Sequence, residues 1–142
     1  MLKKTTNKKV TAFQVSVNGI QLNPTEVKIQ IQKPKGKVQT MAFKALEAVI
    51  EKPTVEIAPM LAKANSVLFL NITHSNIQTL FDLTGLSNLV ILSFDERLNF
   101  NGINMIGEKS VAPFQILNQG RFVLVIKPIK GLDYSTIKRI TV

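Results

Sequence analysis

Apolar and polar residues alternate with period two in several short stretches of the chain. Phe13-Gln14-Val15-Ser16-Val17 and Val27-Lys28-Ile29-Gln30-Ile31-Gln32 each put apolar side chains on one face and polar ones on the other. That is the mark of a half-buried strand, because successive strand residues point to opposite faces. Between the two stretches, Asn18-Gly19 and Asn23-Pro24 supply turn chemistry: Asn and Gly tolerate positive φ, and proline fixes its own. The region therefore predicts a hairpin or a strand-loop-strand unit, followed by an exposed basic turn at Lys33-Pro34-Lys35-Gly36-Lys37. Thr54-Val55-Glu56-Ile57 alternates again, and residues 66–72, 88–94, 121–127 and 136–142 complete a set of about seven or eight β-prone segments. Two stretches suit short helices. One runs from Thr40 to Lys52 and is ended by Pro53, although Phe43-Lys44-Ala45-Leu46-Glu47 within it also reads as strand; the other runs from Ser75 to Leu83.

Strands this numerous, joined by loops rather than by regularly spaced helices, predict a mainly all-β fold. The expected form is a single antiparallel β-sandwich, jelly-roll-like, with one or two short helices; an OB-like barrel is the alternative. At 142 residues the chain has the length of one domain that can bury a core without staples. It divides into a basic N-terminal arm at 1–9 and a single β-rich domain at 10–142. One internal coincidence stands out: Val67-Leu68-Phe69-Leu70-Asn71-Ile72 and Leu89-Val90-Ile91-Leu92-Ser93-Phe94 are offset by 22 residues. The leucines between Ile77 and Leu89 have spacings that resemble a leucine-rich repeat over about 35 residues. The pattern departs from that family where an asparagine ladder is required, with Ser75 in one copy and Arg97 in the other. Two buried strands flanking a short helix account for the same spacing.

Charge changes the picture once it is located. Residues 1–44 hold nine lysines against Glu26 alone (9 − 1 = +8), whereas the remaining residues hold nine bases against eight acids (9 − 8 = +1). A basic first third favours an anionic partner, nucleic acid or an acidic protein surface, through steering and counterion release. The candidate contacts are Lys3, Lys4, Lys8 and Lys9 in the arm and Lys33, Lys35 and Lys37 in the turn. Lysines on a strand edge also resist unwanted edge pairing, the other use such a block can have. Stacking of single-stranded bases needs exposed aromatic faces. Phe13, Phe43 and Phe100 are the nearest candidates, and Phe13 reads as core because it alternates with Val15 and Val17.

Little catalytic equipment is present. Cysteine is absent, which removes disulfides, thiolate nucleophiles and sulfur-ligated zinc, and His74 is the single histidine. His74 follows a strand end beside Ser75 and Asn76, which fits a loop near a cap better than a general base paired with Asp82 or Asp95. Gly102-Ile103-Asn104-Met105-Ile106-Gly107-Glu108-Lys109-Ser110 approaches a phosphate-cradling loop. It has one residue too many, carries a glutamate where the lysine must follow glycine, and leads into Val111-Ala112-Pro113 instead of a helix. Asp95-Glu96 sits beside Arg97 without the spacing of a calcium loop. Apolar runs such as Val67 to Leu70 and Phe122 to Ile126 fall far short of the roughly 20 residues of a membrane-spanning helix. The lysine-rich start has no apolar segment of a secretory signal behind it.

These readings predict a non-enzymatic protein without cofactor, metal or small-molecule substrate. The expectation is a structural assembly protein, a virion or capsid component of minor or penton type assembled in a host cytoplasm. Its partners are copies of itself and other structural proteins, with nucleic acid reached through the basic arm. The alternative is a cytoplasmic single-stranded nucleic-acid-binding protein. Size, strand number and basic arm carry this by analogy of architecture.

Overall fold

The structure, a computed structural model, describes residues 15–65, 67–73, 78–107, 115–118 and 120–142. It is mainly β, the class the alternation predicts. The strands are β1 Val15–Val17, β2 Ile20–Gln32, β3 Val38–Ile50, β4 Thr54–Glu56, β5 Leu68–Ile72, β6 Thr79–Asp82, β7 Leu89–Phe94, β8 Phe100–Ile106, β9 Gln115–Asn118, β10 Phe122–Ile126 and β11 Ile137–Thr141; one helix, α1, spans Ile57–Lys63. The large sheet has the order β11-β2-β3-β5-β10-β7-β8, with β1 also paired to β2. A smaller sheet, β9-β6-β4, lies in a second layer.

The large sheet curls into a half-barrel. Its two end strands meet at one place, where Asn99 bridges Arg139 and the Ile140 N–H donates to the Leu98 carbonyl at 2.9 Å. Two pairings are parallel, β3 with β5 and β4 with β6, within a framework that is otherwise antiparallel. Parallel neighbours need a crossover, and the chain from β3 to β5 makes it through β4 and α1. Alternation within a strand says which face is buried but not which strand comes next to it, so these two pairs are invisible to it.

Both faces of the large sheet are buried, by different means. Leu68, Leu70, Ile72, Leu89, Ile91, Val123 and Val125 pack with Ile57, Met60, Leu61 and Phe81 from α1 and the small sheet. Phe69, Val90, Leu92, Phe94, Leu124 and Ile126 point into the hollow of the half-barrel, with Val27, Ile29, Ile31, Ile137 and Ile140 across from them. A strand buried on both sides has no polar face, so β5, β7 and β10 read as nearly continuous apolar runs, broken only at Asn71 and Ser93. β5 and β7 also carry the 22-residue coincidence, but β10 lies between them and pairs antiparallel with both. They are not stacked repeats, and the segment between them holds strand β6, in the other sheet.

The helix expected from Thr40 to Lys52 is strand β3, paired with β2 from Leu22 opposite Ala48 to Gln32 opposite Val38. The misreading has a physical cause. Met41, Phe43 and Ala45 face the hollow, whereas Leu46, Ala48 and Ile50 face the second layer, so two period-two sets out of phase mimic a helical stripe. β2 makes the same change, from Ile20 and Leu22 to Val27, Ile29 and Ile31. Pro24 lies at the changeover. The Leu46 N–H opposite it bonds the Val67 carbonyl on the far side, so this pair exchanges no hydrogen bonds and the missing Pro24 N–H faces outward, between the spans that β1 and β11 cover.

The second expected helix, Ser75 to Leu83, falls partly outside the described residues, and Thr79–Asp82 within it is strand β6. Among the described residues the α-helix begins at Ile57, where the last alternating residue of the predicted strand Thr54–Ile57 becomes its first turn. Pro59 is tolerated there because first-turn N–H groups have no intrahelical partner.

Turns follow their chemistry. Asn18 and Gly19 both have positive φ, 52° and 81°, the two-residue arrangement that matches strand twist in a hairpin. Asp82 accepts from Thr84 Oγ1 at 2.7 Å and Thr84 N at 2.9 Å; Asp133 accepts from Ser135 Oγ at 2.6 Å and Ser135 N at 3.0 Å. The side-chain hydrogen bond, then the backbone one, holds each carboxyl below the usual aspartate range. A depressed folded pKa means these turns contribute their stability above the unfolded pKa and lose it as pH falls through the folded value. In a carboxyl NMR titration, Asp82 and Asp133 are expected to titrate below ordinary aspartate, and Thr84→Ala or Ser135→Ala to raise the corresponding midpoint. A midpoint unmoved by its own alanine variant would remove the hydroxyl as the cause.

Candidate partner-binding surface

The turn between β2 and β3 is a single 3-10 turn, Pro34–Gly36, with Lys35 and Gly36 at positive φ of 65° and 77°. The Lys33 N–H donates to the Lys37 carbonyl at 2.7 Å and Gln32 Nε2 to the same carbonyl at 3.2 Å, which ties the turn to the strand ends. Lys33, Lys35 and Lys37 are all exposed. Lys3, Lys4, Lys8 and Lys9 lie outside the described residues.

Below the turn the two long strands leave one face uncovered. Opposite the apolar row of β2, the side chains of Glu26, Lys28, Gln30 and Gln32 share a face with Val38, Thr40, Ala42 and Lys44 of β3. β11 extends this face, since Arg139 lies opposite Gln30 and Thr141 opposite Lys28. The result is a three-stranded polar surface with Lys28, Lys44 and Arg139 on it and the three turn lysines at its end. Glu26, 3.9 Å from Lys28, is the one acid among the described strand residues that share this face. Exposed ion pairs of this kind contribute little to stability, so the face keeps its positive field.

The aromatic candidates do not join it. Phe43 and Phe100 both pack against the hollow of the half-barrel, Phe100 tilted against Phe94 at 5.7 Å between ring centroids. Phe13 lies outside the described residues. Among the described residues, stacking of bases therefore finds no aromatic platform on the basic face, and contact there runs through cations and amides.

No protein-family model matches the chain, and no curated protein matches it. It is similar to a crystal structure, at 1.22 Å resolution, of a protein of unknown function from Novosphingobium aromaticivorans DSM 12444, with 14% identity over 90% of each chain and a TM-score of 0.49. A likeness this distant bears on neither family nor activity.

The remaining sequence candidates sort by position. Gly102 to Ile106 of the supposed phosphate loop is extended strand β8, whereas a phosphate cradle requires a loop that opens into a helix. His74 and residues 108–110 lie outside the described residues. Asp95 builds a turn: its Oδ1 accepts from the N–H groups of Arg97 and Asn99, both at 2.9 Å. Among the described residues, no three acidic or histidine side chains gather where they could hold one metal ion, and no helix is long and apolar enough to cross a membrane.

Two hollows open between described residues. A cleft of about 680 Å³ lies between the Asn18-Gly19 turn and the β3–β4 connection, lined among others by Gln21, Asn23, Glu51, Lys52 and Glu56. A smaller one of about 250 Å³ lies where β8 meets β9, around the buried pair Ser93 and Asn118. Ser93 Oγ donates to Asn118 Oδ1 at 2.6 Å, and Asn118 Nδ2 to the Gly120 carbonyl at 3.2 Å. Sequence reasoning counted Lys28 and Lys44 only toward the charge and gave Arg139 no part in this surface. The alternation of Val27 to Gln32 already put Lys28, Gln30 and Gln32 on one face, but the register with β3 and β11 was needed to add Lys44 and Arg139.

Proposed function

We propose that this chain is a non-enzymatic structural protein that assembles with copies of itself and other structural proteins in a virion or capsid, as a minor or penton-type component, and holds an anionic partner against its basic face. The observation that carries the reading is the gathering of Lys28, Lys44 and Arg139 on one uncovered sheet surface, continued by Lys33, Lys35 and Lys37. A cationic surface of this size binds polyanions by releasing their counterions, independently of sequence. Two layers of β-sheet around a common core are an architecture well suited to particle subunits.

A second reading, a single-stranded nucleic-acid-binding protein, draws on the same face and on the curl of the large sheet toward a barrel. One titration separates the two. Single-stranded DNA and an acidic polypeptide are each titrated into the full chain over a range of salt, with mass followed by light scattering. The triple variant Lys33→Gln, Lys35→Gln, Lys37→Gln is expected to reduce the DNA salt slope by about two, at roughly 0.7 per lost phosphate contact. Self-association that persists at high salt supports assembly. A chain that stays monomeric and binds only DNA supports the second reading, and a variant with an unchanged slope removes the turn from the site.

A further inference from the structure

Both layers end on the same side of the molecule. β8 is an end strand of the large sheet and β9 of the small one, and Ser93 of β7, the neighbour of β8, is bonded to Asn118 of β9 beneath the surface. Three large apolar side chains stand exposed along this side: Ile103 at 38%, Met105 at 61% and Leu117 at 54%. Among the described residues, no strand pairs with the outer edge of residues 101–106, since β11 reaches only as far as Asn99.

The phase of this edge can be read. The Asn88 N–H donates to the Gly107 carbonyl, so in the β7–β8 ladder Met105 and Ile103 turn their backbone groups inward. Gly102, Asn104 and Ile106 therefore present theirs outward. Protected edges carry lysine or proline, yet Leu98 to Gly107 contains no ionisable residue and no proline.

We propose that β8 pairs antiparallel with β8 of a second copy about a two-fold axis at Asn104. Charge favours this occupant. Of the net charge of +9, +8 lies in residues 1–44, so two copies repel where their basic first thirds face each other and approach more closely through an edge that carries no charge, such as β8. The register is also self-complementary: centred on Asn104, it sets Ile103 opposite Met105 of the partner subunit and the reverse, burying both apolar pairs, and lets the outward backbone groups bond to each other. This inference rests on the assembly reading and names its contact.

The test is the solution mass and dissociation constant of the full chain at high salt, for the wild type, Asn104→Pro, Met105→Lys and Val49→Lys. Asn104→Pro removes an outward N–H and leaves the bonds to β7 in place, while Val49→Lys places a charge on a distant exposed apolar residue. The expected result is a wild-type dimer or larger species, weakened more than about tenfold by either β8 variant and unchanged by Val49→Lys. Circular dichroism checks that the variants keep the fold; Met105→Lys, on an exposed side chain, decides if Asn104→Pro does not. An oligomer that survives both β8 changes overturns this contact and leaves the assembly reading standing. A wild-type monomer at high salt, with and without single-stranded DNA, overturns both. A monomer whose Asn104 N–H is protected from hydrogen exchange would show the edge covered by the chain's own residues.

Discussion

Replacing Phe94 by alanine is expected to cost about 3–5 kcal/mol of folding stability, the range for emptying a large aromatic site in a packed core. Phe94 is fully buried at the end of β7, opposite Phe122 of β10 and Phe100 of β8. Its ring lies 5.7 Å from that of Phe100 at 58°, and on the next strands Phe69 and Phe122 stack at 6.0 Å and 1°. Four phenylalanines thus cross β5, β10, β7 and β8 on the hollow side of the sheet and fill the half-barrel where it curls most closely on β11. Truncating Phe94 leaves a hole that the strands on either side cannot close, because each is held by its own ladder. Phe100 is half-buried, so Phe100→Ala should cost distinctly less. Denaturant unfolding of both variants checks this; a Phe94→Ala loss no greater than that of Phe100→Ala would mean the hollow is not a packed core.

That core was legible in the sequence as a class but not as an arrangement. Val67 to Ile72, Leu89 to Phe94 and Phe122 to Ile126 announced buried strands by being apolar at nearly every position. A curled sheet with a second layer on one face and its own hollow on the other needs such segments. β2 and β3 were less readable because each serves two layers. The apolar phase changes near Pro24 in one and between Ala45 and Leu46 in the other, and a phase change in a strand resembles the stripe of a helix. Local pattern cannot separate the two; the ladder from Leu22–Ala48 to Gln32–Val38 decides in favour of strand.

The same long strands explain what the sequence said about a site. Each runs past the second layer, so its far half has one face on the hollow and the other in solvent. That geometry turns a charge imbalance spread over the first third of the chain into a directed surface. Lys33, Lys35 and Lys37 were visible as a basic turn. Lys28 and Lys44 became part of one patch only when cross-strand register placed them two residues apart on adjacent strands, and Arg139, about a hundred residues away along the chain, joined through β11. Two of the aromatic candidates stay off this surface for a related reason: Phe43 and Phe100 have the parity of the hollow, so curling the sheet takes them away from the lysines.

Gly120→Ala should be nearly as damaging as Phe94→Ala, although it adds a single methyl group. A Cβ at Gly120 would lie 2.7 Å from Ser93 Cβ and 3.2 Å from Ser93 Cα. Both belong to a central strand held by β10 on one side and β8 on the other, so neither can retreat without moving a ladder. Overpacking of this kind costs about 1–3 kcal/mol. Displacing Ser93 also endangers its buried hydrogen bond to Asn118, and an unsatisfied buried amide costs about 1–3 kcal/mol more. Gly102 supplies the contrast, since its added Cβ would meet Ser93 Cβ at an ordinary 3.8 Å. Urea unfolding should therefore show a loss of several kcal/mol for Gly120→Ala and a change within about 0.5 kcal/mol for Gly102→Ala. In a Ser93→Gly background, where the colliding Cβ is gone, the Gly120→Ala penalty should shrink. Equal penalties in both backgrounds would place the strain elsewhere and break the assignment of Gly120 as the clearance over Ser93 that lets the two layers meet.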